Sequence, residues 1–190
     1  PPFPGVEARA TIESELDRPL DELFYSFDDE PVAAASIAQV HHAVTVDGND
    51  VAVKVLRPNI EAEFEQDLDL ILWLAELAER FKPGLRRLKP VDVVHTVAES
   101  VEIEMDLRFE AAAADELRAN FVDEASFRVP TVDWTRTARR VLTTDWVHGI
   151  PLTDPKSLEQ PGLDRVELAT SITRGFLSHA IGQGVFHADM

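Results

Sequence analysis

The spacing of apolar residues changes period several times along the 190-residue chain, and each change marks an element. Residues 5–16 read as a short helix, followed by a loop and a short apolar segment, Leu23–Phe27. Ile37–Val46 and Asp50–Leu56 are β-rich runs flanking Asp47-Gly48-Asn49. That arrangement predicts a hairpin in which the glycine supplies positive φ. After Arg57-Pro58 the period lengthens to about 3.6, and Leu68, Leu70, Ile71, Leu74, Leu77, Ala78 and Phe81 predict an amphipathic helix over 59–81. Lys82-Pro83-Gly84 ends it. A second long helix is expected from 91 to 121, with Pro90 near its start. Phe127–Val132 and Arg139–Val147 read as strands separated by a Thr/Asp/Arg-rich turn, and Gly149 and Pro151 break the pattern. A final helix over 165–183 has Asp164 as N-cap and Glu167 three residues on, a capping-box variant. Gly182 and Gly184 close it and lead through Val185-Phe186 to His187. Hairpin, helices, two strands, helix, loop is a mixed α+β order, not the regular alternation of a doubly wound sheet.

Strand alternation puts Val51, Val53 and Val55 on one face and Ala52, Lys54 and Leu56 on the other. The chain has only four lysines, at 54, 82, 89 and 156. Lys54 reads either as a lysine on the wet face of a sheet, its ammonium snorkelling into water, or as the lysine of a kinase Val-Ala-Ile-Lys element. Val51-Ala52-Val53-Lys54 fits the second, in which the ammonium is held over a nucleotide's phosphates. Ala33-Ala34-Ala35-Ser36-Ile37-Ala38-Gln39-Val40 stands where a kinase has its glycine-rich loop. Small side chains still let backbone amides approach phosphates, although alanine restricts φ as glycine does not. The same run also suits a small-residue strand packed under a helix.

Glu99, Glu102, Glu104, Asp106 and Glu110 fall in the second long helix. At about 100° per residue Asp106 and Glu110 share a face, with Glu104 about 120° from Glu110. A solvated acidic face is one account of them. The other pairs Glu110 with Lys54, fixing the ammonium, and leaves Glu104 and Asp106 to a separate polar site. His187-Ala188-Asp189 follows the last helix where a kinase has His-Arg-Asp, whose aspartate orients the nucleophile. His41-His42, His148 and His179 have no partners at metal-ligand spacing and read as ordinary strand, turn and helix residues.

Charge narrows the classes of partner. Thirty-five acidic against 18 basic residues give −17 and a pI near 4.6. Bulk attraction to nucleic acid or to an anionic membrane is therefore not expected, and any anion pocket must be built from particular residues. The 45% apolar content suffices for a packed core. Absence of cysteine excludes disulfides and thiolate zinc sites, and no run of 18 apolar residues predicts a bilayer-spanning helix. Pro1-Pro2-Phe3-Pro4 resembles neither a translation start nor a signal peptide, and the pattern is open at Met190. The expectation is an excised piece of a longer protein.

Pro31-Val-Ala-Ala-Ala-Ser-Ile-Ala-Gln-Val-His41, Val51-Ala-Val-Lys-Val-Leu-Arg-Pro58 and Glu104-Met-Asp-Leu-Arg-Phe-Glu-Ala111 together resemble the UbiB family, the aarF-domain-containing atypical kinases. Gln66-Asp67-Leu68-Asp69-Leu70 and Phe186-His-Ala-Asp-Met190 agree with it, so the resemblance runs almost the whole chain in order. It implies an α+β, protein-kinase-like fold. Residues 1–147 would be the N-lobe, with a helical insertion over about 58–90 and an αC-type helix over about 91–121. Residues 148–190 would begin the C-lobe and end in the catalytic loop. The insertion accounts for the 56 positions between Lys54 and Glu110.

By the same resemblance Ala33, Ala34, Ala35 and Ser36 form the nucleotide loop, Lys54 binds phosphate and Glu110 is its ion-pair partner. Glu104 and Asp106 match the family's Glu-x-Asp motif, and His187 and Asp189 match the catalytic loop. The implied cofactors are ATP and Mg²⁺. The implied role is an ATPase or kinase supporting ubiquinone or other isoprenoid-lipid biosynthesis, with isoprenoid lipid or quinone-biosynthesis proteins as partners. Such a protein would be bacterial, cytoplasmic or peripheral at the inner face of the cell membrane. Ala38 stands where many members have glycine. The family's Lys-x-Gly-Gln helix is expected upstream of Pro1, and its His-Pro-Gly-Asn and Asp-Phe-Gly elements, with the Mg²⁺ ligands, after Met190. On that expectation no metal ligand lies within the chain, and the fragment alone would be inactive. A small-molecule phosphotransferase and a non-enzymatic pseudokinase scaffold holding a lipid or a partner protein are the competing readings.

Overall fold

Strands β3 (Ala38–Thr45) and β4 (Asp50–Leu56) form the expected antiparallel hairpin. Its turn closes through the Gly48 amide on the Thr45 carbonyl at 2.9 Å, with Gly48 at φ +85°, a conformation that a side chain disfavours. The computed structural model describes residues 2–120, 127–149 and 163–182. They fall into two compact units, one of Pro1–Ala111 with Val132–Asp145 and one of Ala112–Thr131 with Trp146–Met190.

In the first unit, helix α1 (Gly5–Leu16) leads through a single turn, α2 (Leu20–Leu23), into strand β1 (Phe24–Phe27). Strands β2 (Ala33–Ala34) and β5 (Val141–Asp145) complete an all-antiparallel sheet of order β1-β3-β4-β5, with β2 sharing an edge of β3. The hairpin's two faces separate as alternation requires. Val51, Val53, Val55 and Val141 are at most 3% exposed and pack with Ala8, Ile12, Leu23 and Phe24. This burial is the main stabilising term, at about 1.5–3 kcal/mol for each large apolar side chain. Lys54 stands on the opposite face.

Two polar residues within the core face satisfy each other. The Gln39 amide is locked by Phe3, whose N–H donates to Oε1 at 3.1 Å and whose carbonyl accepts from Nε2 at 3.2 Å. Nε2 also donates to His41 Nε2 at 2.8 Å, so His41 carries its proton on Nδ1 and donates it to the Asp28 carbonyl at 2.7 Å. Burial pushes the His41 pKa down, against that carbonyl's pull. His42, on the other face, lies between Asp28 and Asp50 at 3.1 and 3.0 Å. These carboxylates raise its pKa in spite of partial burial.

Two sequence expectations change. The helix expected over 91–121 is two helices, α4 (Pro90–Glu104) and α5 (Leu107–Asn120). Asp106 breaks it. Its Oδ1 accepts from the Arg108 amide at 3.1 Å and its carbonyl from the Phe109 amide at 3.0 Å, while the Leu107 amide donates to the Arg139 carbonyl at 2.8 Å. These bonds satisfy donors that a new helix start leaves open. The strand expected over 127–132 is reduced to a bridge between Val132 and Thr144, and the turn after it is a 3₁₀ segment, Trp134–Arg136. Helix α3 (Ile60–Phe81) forms as expected, but only Ile60 and Ala75 are buried. Leu70, Ile71, Trp73, Leu74, Leu77 and Phe81 are exposed by 37% or more. A 3₁₀ turn, Pro83–Leu88, joins α3 to α4, and the two helices pack antiparallel. In the second unit, helix α6 (Arg165–Gly182) is capped by Asp164, whose Oδ1 accepts from the Val166 and Glu167 amides at 2.8 and 3.1 Å.

Candidate functional site

Register builds the site. Ala33 lies opposite Val40, Val40 opposite Lys54 and Lys54 opposite Leu142, so one row crosses four strands. Directly opposed residues share a face, and this is the face turned away from the valine core. From it the Lys54 ammonium reaches α5 and donates to both oxygens of Glu110, Oε2 at 2.7 Å and Oε1 at 2.9 Å. Helix α5 holds that carboxylate in place through Leu107 and Ala111, three residues before and one after, both at most 2% exposed.

Magnitude argues against a purely structural pair. Lys54 is 30% and Glu110 49% exposed, and ion pairs so open to water are worth at most about 1 kcal/mol. The arrangement does something else well: it fixes the direction of one ammonium on an exposed surface.

Ala33 and Ala34 form a short edge strand rather than a strand covered by a helix, and Ala33–Ser36 are all exposed. The turn that follows is tight, the Ala35 amide donating to the Ala38 carbonyl at 2.8 Å. Arg57, just beyond β4, clamps the turn from below. Its amide donates to the Ile37 carbonyl at 2.8 Å and its Nε to the Ser36 carbonyl at 3.2 Å, while its guanidinium stacks 5.5 Å from the Phe3 ring centroid. The sequence gives Arg57 no role beyond its place in the Val51–Pro58 motif. Its position just outside a strand, before a proline, was the available signal.

Glu104 and Asp106 do not form one polar site. Glu104 is the exposed last residue of α4, whereas Asp106 binds Arg108 through 2.9 and 2.6 Å contacts. The Arg108 hydrogen bonds hold its carboxyl below the ordinary range despite partial burial. The helix break also removes the shared face that an unbroken helix would give Asp106 and Glu110. Arg139 lies beside this cap and reaches across to α3, with Nη2 2.9 Å from Glu61 Oε1. That contact is a charge pairing without hydrogen-bond alignment, and the buried Oε1 has no hydrogen bond. Glu61, Asp106 and Arg139 line a cavity of about 430 Å³ with Phe64, Met105 and Phe109.

His187 and Asp189 lie outside the described residues. Among the described residues no three His, Asp or Glu side chains are grouped to hold a metal ion, and no helix is long and apolar enough to cross a membrane.

Comparison with known proteins matches residues 1–190 to the ABC1 atypical kinase-like domain. The chain is 42% identical over 190 residues to "Probable protein kinase UbiB" of Marinobacter nauticus, covering 100% of this chain and 35% of that protein. It is 38% identical over 188 residues to the protein of the same name from Xylella fastidiosa, covering 99% and 34%. The chain thus spans about a third of the length of the curated relatives it matches. Among solved structures, the Rv3197–erythromycin complex from Mycobacterium tuberculosis superimposes with a TM-score of 0.69 at 32% identity, over 80% of this chain and 38% of that one. The fold is kinase-like, and the chain belongs to the ABC1 atypical kinase-like family of UbiB-type proteins.

Proposed function

We propose that the intact protein uses ATP at the Lys54 face, as an atypical kinase or ATPase supporting ubiquinone or other isoprenoid-lipid biosynthesis. The observation that carries the reading is the bidentate Lys54–Glu110 pair beside the exposed Ala33–Ser36 turn. The residues fit a nucleotide. An ammonium pinned by a carboxylate offers a positive charge whose direction is already fixed, which suits phosphate binding. Alanine and serine side chains leave room for backbone amides to approach, and Arg57 holds the turn in place.

When bound, ATP supplies the phosphoryl group. Lys54 binds and orients the phosphates, Glu110 keeps Lys54 from swinging into solvent, and Asp189 orients the attacking oxygen. Mg²⁺ would be held by groups other than those described. The protein would work in the cytoplasm or peripherally at the inner face of the membrane, with isoprenoid lipid or quinone-biosynthesis proteins as partners.

Phosphate release distinguishes this from a small-molecule phosphotransferase. The intact protein with ATP and Mg²⁺ should release inorganic phosphate without any added acceptor. Strict dependence on an added hydroxylated compound would favour the phosphotransferase instead. No nucleotide binding, with isoprenoid lipid co-purifying, would favour a scaffold.

A further inference from the structure

We propose that the tip of the α3–α4 hairpin, residues 80–89, docks on an anionic lipid bilayer, a surface independent of the nucleotide reading. The sequence there is Arg80-Phe81-Lys82-Pro83-Gly84-Leu85-Arg86-Arg87-Leu88-Lys89. It holds five of the chain's 18 basic residues and none of its 35 acidic ones, and removing its +5 leaves the rest of the chain at −22. In so acidic a protein, a basic cluster in which only Lys89 has a carboxylate partner among the described residues is unexpected unless it has a use.

Their local bonds leave them available. Lys89 pairs with Asp92 at 2.8 Å, and Arg86 Nε donates to the Glu79 carbonyl at 2.9 Å. Arg80, Lys82, Arg86 and Arg87 make no ion pair with a carboxylate among the described residues. Phe81 and Leu88 stand between them at 70% and 61% exposure, with Arg80 5.9 Å from the Phe81 ring centroid.

This pairing of charge with apolar surface chooses the partner. A phosphate backbone would need only the cations. An exposed phenylalanine and leucine interleaved with arginine and lysine suit the boundary between anionic headgroups and acyl chains. Geometry answers the objection that an acidic protein is repelled by such a surface. Helix α3 has 22 residues, about 33 Å at 1.5 Å each, and its far end packs beside the far end of α4. The Debye length is about 8 Å at physiological salt, so acids at that far end are screened while the tip touches. Only Glu76, Glu79 and Asp92 flank the tip closely in sequence, fewer than its cations. Docking is therefore end-on, through the hairpin.

The chain has no cysteine, so Leu88→Cys gives a site for one environment-sensitive fluorophore, in an intact protein freed of any other cysteine. Its emission should shift to the blue with vesicles containing phosphatidylglycerol and stay put with phosphatidylcholine alone. The same label on Glu63→Cys, at the other end of α3, should not respond. Adding K82E and R87E should raise the lipid concentration for half-maximal response at least about tenfold, and Phe81→Ser should weaken it with all charges kept. Circular dichroism melting verifies that each variant is folded. An equal response to both vesicles, a response at position 63, or indifference to charge reversal would overturn the proposal. A shift produced by single-stranded RNA and not by vesicles would assign the tip to nucleic acid and overturn it too.

Discussion

Replacing Lys54 by alanine should abolish the rise in melting temperature that ATP gives the intact protein, while leaving the nucleotide-free melting temperature nearly unchanged. The two halves of this expectation rest on different magnitudes. The Lys54–Glu110 pair is open to water on both sides, so losing it costs at most about 1 kcal/mol of stability. Nucleotide at a hundred times its dissociation constant stabilises the folded state by about 2.7 kcal/mol, a margin that depends on the ammonium. Glu110→Gln separates binding from orientation. The ammonium remains but is less firmly held, so nucleotide stabilisation should shrink without vanishing. Full stabilisation of the Lys54→Ala protein would remove Lys54 from the site.

The second large effect concerns Arg136, which is 8% exposed. Its Nε donates to the Leu23 carbonyl at 2.9 Å, Nη1 to Asp133 at 2.6 Å and Nη2 to Asp47 at 3.2 Å. One guanidinium thereby ties the start of β1 and the hairpin turn to the segment before β5. Burial would raise the Asp133 pKa, but Thr135 and Arg136 overcome it and hold the carboxyl below the ordinary range. Arg136→Ala would strip Asp133 Oδ2 of its guanidinium partner, leaving only the Thr135 bonds to Oδ1, and would take from the Leu23 carbonyl the shorter of its two donors. Breaking such a pair costs about 3 kcal/mol, or about 10 °C in melting temperature for a domain of this size. Arg136→Lys should recover only part, because three donors on one nitrogen cannot span acceptors that Arg136 reaches from three separate nitrogens. Asp47→Ala should cost under about 1 kcal/mol, since Asp47 is exposed. Thermal melts of the three variants check the order, and a loss for Arg136→Ala as small as for Asp47→Ala would contradict it.

What the sequence discloses follows from the range of the interaction. The β3–β4 hairpin is local: its turn residues and its period of two lie within 20 positions, so its two strands and the face of Lys54 are legible. The Asp164 cap was legible for the same reason. The break at Asp106 was not, because apolar spacing continues through it, and the bonds that stabilise the new start come partly from the Arg139 carbonyl. Arg136 was missed because arginine in a Thr/Asp-rich turn resembles a solvated residue. Its carbonyl partner is 113 positions away. The apolar spacing of α3 discloses a stripe, but periodicity gives the direction of a face and not what covers it. The basic tip was hidden by a net charge that averages over it.

On the proposed function, Lys54 lies over a nucleotide's phosphates. An acyl-phosphate derivative of ATP, which transfers its acyl group to a nearby lysine amine, tests this directly, and within this chain it has four lysines to choose among. Mass spectrometry of the treated intact protein should find the acyl group on Lys54, and excess ATP should suppress it. Labelling that spares Lys54, or labelling of Lys54 that ATP leaves unchanged, would remove Lys54 from the nucleotide site.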